Sequence, residues 1–193
     1  MQVQFDAPLN PAAAEFAAAA AIVDFWREAG PESWFAKDPA FDRRFREQFL
    51  HQHEAAARGG LGSWMHSATG ALALLLLLDQ FPRNAFRGTP RMYATDPLAR
   101  QVAEIVIEAG HDRRVYEQIR HFFYLPFGHS EVLADQERSV ALTRHLGAPN
   151  FSHAEGHRDI IRRFGRFPHR NALLGRVTTA EEQAFLDAGG FAG

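Results

Sequence analysis

The stretch Leu74–Asn84 reads LLLLLDQFPRN. Five leucines run without a break into an acid, an amide, an aromatic, a proline, an arginine and an asparagine. A helix that is apolar on every side belongs in the middle of a fold, because a surface helix keeps one polar face. We therefore read a central helix over about 69–81, ending in a polar tip. An acid at that end opposes the helix dipole by roughly 0.3–1 kcal/mol. If it is also buried and ionised, it must be paired or lose its charge. Arg83, Arg87 and Arg170 are the candidate partners for Asp79. Two readings of Asp79 and Gln80 stand side by side: a structural network that locks the turn, or direct contact with a ligand.

Outward from this run the punctuation is helical. Asn10-Pro11 and Asp38-Pro39 each place a capping residue before a proline in the first helical position, and Gly30 and Gly59-Gly60 close the helices they open. Phe41, Phe45 and Phe49 recur every four residues as one apolar stripe. Further helices are expected from Thr89-Pro90 or Asp96-Pro97 to Gly110, from Asp112 to Tyr124, from Ser130 to Gly147 and from Ser152 to Phe164. Thr179 with Glu182 forms a capping box for the last one. No segment alternates with period two and no linker divides the chain. The expectation is a single all-α domain over residues 1–193, a solenoid or bundle of about eight helices with short loops.

Composition narrows the function. At 193 residues with 46% hydrophobic content, the chain can bury a sizeable core as one domain. A net charge of −2 lacks the basic excess of a general nucleic-acid binder. The apolar run Ala71–Leu78 falls well short of the roughly 20 residues of a membrane span. The alanine-rich start has acidic Asp6 and Glu15 and no basic leader, so it reads as a helix and not as a signal peptide. There are no cysteines, which excludes disulfides and thiolate chemistry and suits a reducing cytoplasm. Phosphate-binding loops, dinucleotide fingerprints, nucleophile elbows and HExxH are absent, so no motif names a cofactor.

Three clusters remain as candidates. FPRN at Phe81–Asn84 is echoed as FPHRN at Phe167–Asn171, and YLPFGHSE lies between them at Tyr124–Glu131. Each follows an apolar helix and releases polar side chains where it stops. The first supplies Asp79, Gln80, Arg83, Asn84 and Arg87. The second supplies His129 and Glu131, with Asp135 and Arg138 at spacings that also suit plain intrahelical salt bridges. The third supplies His169, Arg170 and Asn171, inside an arginine-rich non-helical stretch whose charges suit carboxylate or phosphate. They equally suit neutralising Asp79, Asp96, Glu131 and Asp135. His157 points to the apolar side of its helix, four residues from His153. That spacing can bind a metal, but the favoured reading is a hydrogen-bonded core histidine and no metal. His121 and His145 fall on polar faces and carry no role.

The blocks LLDQFPRNAFRGTPRMYATDPLAR, FFYLPFGHSEVLADQERS and HRDIIRRFGRFPHRNALLGR resemble the bacterial family called domain of unknown function 924. DFW at Asp24–Trp26, WFAKDPAFD at Trp34–Asp42 and TTAEEQAFL at Thr178–Leu186 fit it too, so the likeness spans nearly the whole chain. It implies a fold similar to tetratricopeptide-like α-α superhelices and no established activity. Beside the residues named above, the matching positions include Ser130, Gln136, Arg163 and Arg176. Val132 departs from the acidic or polar residue usual after HSE.

These observations point to a cytoplasmic helical protein with an internal polar pocket for a small, anionic molecule. Arg83, Arg87 and Arg170 would hold its negative groups, and His129, Glu131 and His157 would complete the lining. His157 or Glu131 would carry the proton if the chemistry is hydrolytic. The competing reading is a non-catalytic protein- or peptide-binding module that uses Trp26, Trp34 and Trp64 on an open face. A third is a polar network that only specifies the fold.

Overall fold

The computed structural model describes residues 10–193, so Asp6 lies outside it. The described residues form helices and helical turns, with no strand among them. The Asn10 side chain accepts from the Ala12 amide at 3.1 Å and opens the helix Pro11–Ala29. Asp38 does the same for Pro39–Ala57, accepting from Ala40 and Phe41 at 2.8 and 3.2 Å. The stripe of Phe41, Phe45 and Phe49 is buried, and all three rings gather around Phe25.

The central helix is longer than expected. It begins after Ser67, whose hydroxyl accepts from the Gly70 amide at 3.1 Å, and runs as Ala68–Leu75. Gly70 is needed there, since a Cβ would collide with the Trp64 carbonyl. Pro82 does not stop it. In an unbroken α-helix Pro82 would lack an N–H and clash with a carbonyl four residues back. The chain instead widens into a π-turn over Leu76–Gln80, in which the Phe81 amide donates to Leu76, and then resumes as Phe81–Ala85. The carbonyls left over by this widening find side-chain donors. Leu77 accepts from His53 Nδ1 at 2.9 Å, Leu78 from Thr95 Oγ1 at 2.5 Å, and Asp79 from Arg83 Nη1 at 2.6 Å. Pro11–Ala29, Pro39–Ala57 and Asp96–Glu108 all pack on this central element, which explains why it needs no polar face.

The helix expected over 112–124 breaks into His111–Arg114, Glu117–Arg120 and His121–Phe123, followed by Leu125–Gly128. Val115 is extended and interrupts it. The broken path lets Phe122 meet Trp26 and Trp34 edge-on, with ring centroids 5.5 and 5.1 Å apart. His121 is therefore buried against Trp34 and not on a polar face. The next helix, Leu133–Thr143, starts later than Ser130. Its expected Asp135–Arg138 pair gives way to interhelical ones: Arg100 donates to Asp135 at 2.8 Å and Arg138 to Glu104 at 2.7 Å. These tie it to Asp96–Glu108. Asn150–Phe164 packs along it, and Ala180–Asp187 ends the fold behind the expected Thr179–Glu182 capping box. No helix among the described residues is long and apolar enough to cross a membrane.

Trp26, Trp34 and Trp64 are all buried, so they do not form the open aromatic face that a peptide-binding module would use.

Candidate functional site

The three helix-end clusters converge. The π-turn aims Asp79 at the turn after Leu125–Gly128, where His129 Nδ1 and Asp79 Oδ1 lie 2.7 Å apart. Gln80 Nε2 donates to the other carboxylate oxygen of Asp79 at 2.6 Å. Arg83 reaches Asp79 Oδ1 at 3.3 Å and grips Asp96 with two bonds of 2.8 and 3.0 Å. Asp96 also meets Arg170 Nη1 at 3.5 Å, which links the third cluster to the first. Beside this network lies a cavity of about 790 Å³. Gln80, Arg83, Asn84, Arg87, His129, His157, His169 and Arg170 line it. Asp79, Glu131 and Asn171 do not; they stand behind the wall. A second hollow of about 590 Å³ runs beside Asp24, Arg27 and Arg114 and contains none of these residues.

The internal echo has a structural explanation. Asn84 and Arg87 together clasp Asp42, the arginine with bonds of 2.8 and 3.1 Å and the amide at 2.7 Å. In the second copy Asn171, joined by Arg166 from just before the motif, clasps Glu182. Asn171, fully buried, also accepts from Arg176 at 2.9 Å. Both FPRN-like turns thus anchor a buried or half-buried acid from a distant helix.

Charge pairing separates the arginines. Arg83 is engaged by Asp79 and Asp96, and Arg87 by Asp42. Arg176 holds Glu131 through bonds of 2.6 and 3.0 Å, and the Phe167 amide donates to the same carboxylate at 2.8 Å. Burial pushes Glu131 up, but these bonds outweigh it and hold its pKa below the usual value. That is the opposite of what a proton carrier near neutrality needs. Arg170 differs from the other three. It is 6% exposed, lies between the Tyr93 and Phe167 rings at 4.5 Å from each, and has only the long contact to Asp96. Its Nε is buried with no partner among the described residues.

Asp79 is 1% exposed. Burial raises its pKa, yet Arg83 and then His129 outweigh this and hold it at about 2. His129 is pulled down by burial and by Arg83, against the pull of Asp79. It is neutral at pH 7, so its Nδ1–H donates to Asp79 and Nε2 carries the lone pair. His157 repeats the arrangement. Its Nδ1–H donates to the Gly128 carbonyl at 3.2 Å, and burial first, then His129, lowers it to about 3. The two rings are 6.3 Å apart, and neither Nε2 bonds to protein among the described residues. Gln136, with no exposed surface, donates to the Gly128 and Ser130 carbonyls at 2.8 and 2.6 Å and fixes the turn that carries His129. No group of three or more His, Asp or Glu that could hold a metal occurs among the described residues.

Two wall residues have no signal in the sequence patterns above. Tyr93 stands on the turn Pro90–Tyr93, between Arg83 and Arg170. Phe191, past the last helix, lies 4.6 Å from His157 and 5.1 Å from His169. A lone aromatic after a glycine pair is the one hint that this tail packs on something.

Comparison with known proteins agrees with the helical architecture. The family described as bacterial protein of unknown function, DUF924, matches residues 22–190. A solved structure of a protein of unknown function, ATU0120 from Agrobacterium tumefaciens, is 57% identical. It superposes with a TM-score of 0.88 over 90% of this chain and 98% of its own. No curated protein matches.

Proposed function

The chain belongs to the bacterial family of unknown function DUF924, and for it we propose the binding and hydrolysis of a small molecule with an anionic group. The observation that carries the reading is the Asp79–His129 pair beside the cavity. A buried carboxylate accepting from Nδ1 fixes the imidazole tautomer, leaves Nε2 as the base and stabilises the imidazolium that forms. In this reading Nε2 takes a proton from water as the water oxygen attacks the scissile carbonyl carbon. The proton is then returned to the leaving group as its bond to carbon breaks. Arg170, with donors to spare, positions the anion.

This narrows the sequence expectation. Of the three arginines expected to hold the anion, Arg83 and Arg87 already answer acids, and Glu131 answers Arg176. The proposal leaves Glu131, Asn84 and Asn171 as structural anchors. The competing interaction-module reading lacks the open aromatic face it would rely on.

The test is a panel of small esters and amides, with and without a carboxylate, turned over by the wild type and by His129→Asn. The reading expects hydrolysis that falls by at least about a hundredfold in the variant while it remains folded at the assay temperature. Turnover equal in the two proteins would refute it.

A further inference from the structure

We infer that the cavity selects a monocarboxylate with an extended apolar body, and not a phosphate or a polyanion. The inference rests on the cavity being the binding site, as proposed above, and adds the class of molecule.

Charge sets the first limit. At the buried polar end Asp79, Asp96 and Glu131 face Arg83, Arg170 and Arg176, three negative charges against three positive; of the other lining cations Arg87 answers Asp42, Arg163 answers Glu181, and Lys37 is solvent-exposed. Burial, reinforced by neighbouring arginines, lowers His129, His157 and His169, so these rings add no positive charge near pH 7. Of the three cations, Arg83 and Arg176 are bonded to carboxylates in bidentate pairs, and Arg170 alone is not. One guanidinium with a partly used fork matches one carboxylate. A phosphate monoester or a polycarboxylate would bring a second charge that finds no second unpaired cation among the buried arginines, and uncompensated charge in a buried site is costly.

The wall sets the second limit. Trp34, Leu125, Ile160, Phe164, Phe167 and Phe191 also line the cavity, whose surface is mostly apolar. A space of about 790 Å³ is within the range of small-ligand pockets. Arg170, stacked between Tyr93 and Phe167, stands where the polar and apolar parts meet. Neutral imidazoles at His129 and His157 can accept from a hydroxyl or an amide N–H near the carboxylate, but they add no charge for an anion.

The test compares octanoate, 1-octanol, octyl phosphate and citrate by thermal shift and by displacement of a bound fluorescent fatty acid. Octanoate is expected to bind, and Arg170→Gln to weaken it on the order of tenfold to a hundredfold, the loss of a charge-assisted bond. Octanol binding as well as octanoate, or octyl phosphate or citrate binding better, would overturn the inference. If such a polyanion needs Arg170, the site stands and only the ligand class fails. If none of the four compounds binds, both the site and the class fail. Should Arg170→Gln not fold, a brominated octanoate decides with the arginine intact. It is expected to quench wild-type tryptophan fluorescence and to lose that effect in Trp34→Phe, because Trp34 alone of the three tryptophans lines the cavity. Quenching that survives Trp34→Phe, or none in wild type, would refute the placement.

Discussion

Replacing Asp79 by asparagine tests the centre of the network with little change in shape. The wild-type carboxylate is held at about 2 against an ordinary 3.8, since Arg83 and His129 overcome the penalty of burial. A gap of that size favours the ionised side chain in the folded state by about 2 kcal/mol. Arg83 keeps Asp96 in the variant, while His129 loses a charged acceptor. Asp79→Asn should therefore lower stability near pH 7 by about 2 kcal/mol. For a chain of 193 residues that is roughly 4–8 °C in Tm. The pH dependence has a definite sign. A lowered carboxylate pKa contributes stability that is complete above the unfolded value and is lost as pH falls through the folded one. The gap between wild type and variant should thus close between about pH 4 and pH 2. Urea unfolding followed by tryptophan fluorescence near pH 7, 5 and 3 measures it. Stabilities within about 0.5 kcal/mol of each other near pH 7 would refute the claim that this ion network holds the turn, as would a gap that ignores acid.

Other perturbations bear on separate parts of the fold. His157 is pushed by burial to about 3 against 6.5, so its contribution is complete above the ordinary value and declines as pH falls toward 3. The decline should approach about 1.4 kcal/mol per pH unit, and His157→Gln should flatten the stability profile between about pH 6 and pH 4; an unchanged slope would contradict this. Thr95→Val leaves the Leu78 carbonyl without its donor and should cost about 1–3 kcal/mol in urea unfolding, with Thr95→Ser close to wild type. Equal loss in both would place the effect in packing. A double-mutant cycle on Glu131→Gln and Arg176→Lys should show a coupling of about 1 kcal/mol, reduced by solvent access at both side chains. Additive losses would show that the pair is no anchor.

Much of the architecture is legible in the residues because capping chemistry is local. Asn10-Pro11, Asp38-Pro39 and Thr179 with Glu182 each depend on atoms within three positions, and each does what its spacing predicts. The failures are tertiary. Pro82 looks like a stop, but His53 and Thr95, from distant segments, satisfy the carbonyls it strands. The helix expected at 112–124 breaks at the extended Val115, and the broken path sets Phe122 against two tryptophans from distant segments. In the candidate site, the residue types and their convergence could be anticipated from repeated helix-end motifs. Which arginine remains free could not, because Asp42, Asp96 and Glu131 each choose one by geometry and not by sequence distance.

A string of identical leucines is ordinarily indifferent to its own length, since losing one leaves the same grease behind. Here it is not. The wide turn at Leu76–Gln80 holds one residue more than an α-helical turn would. Deleting any one leucine between Leu74 and Leu78 leaves only two outcomes: the wide turn persists and one flank swings by about 100° relative to the other, or the turn relaxes with its flanks in phase and sets Pro82 against a carbonyl of an unbroken α-helix. Hydropathy would scarcely notice, yet either outcome disturbs the turn that carries Asp79. The number of leucines is thus as strict a specification as any of the charged side chains they deliver.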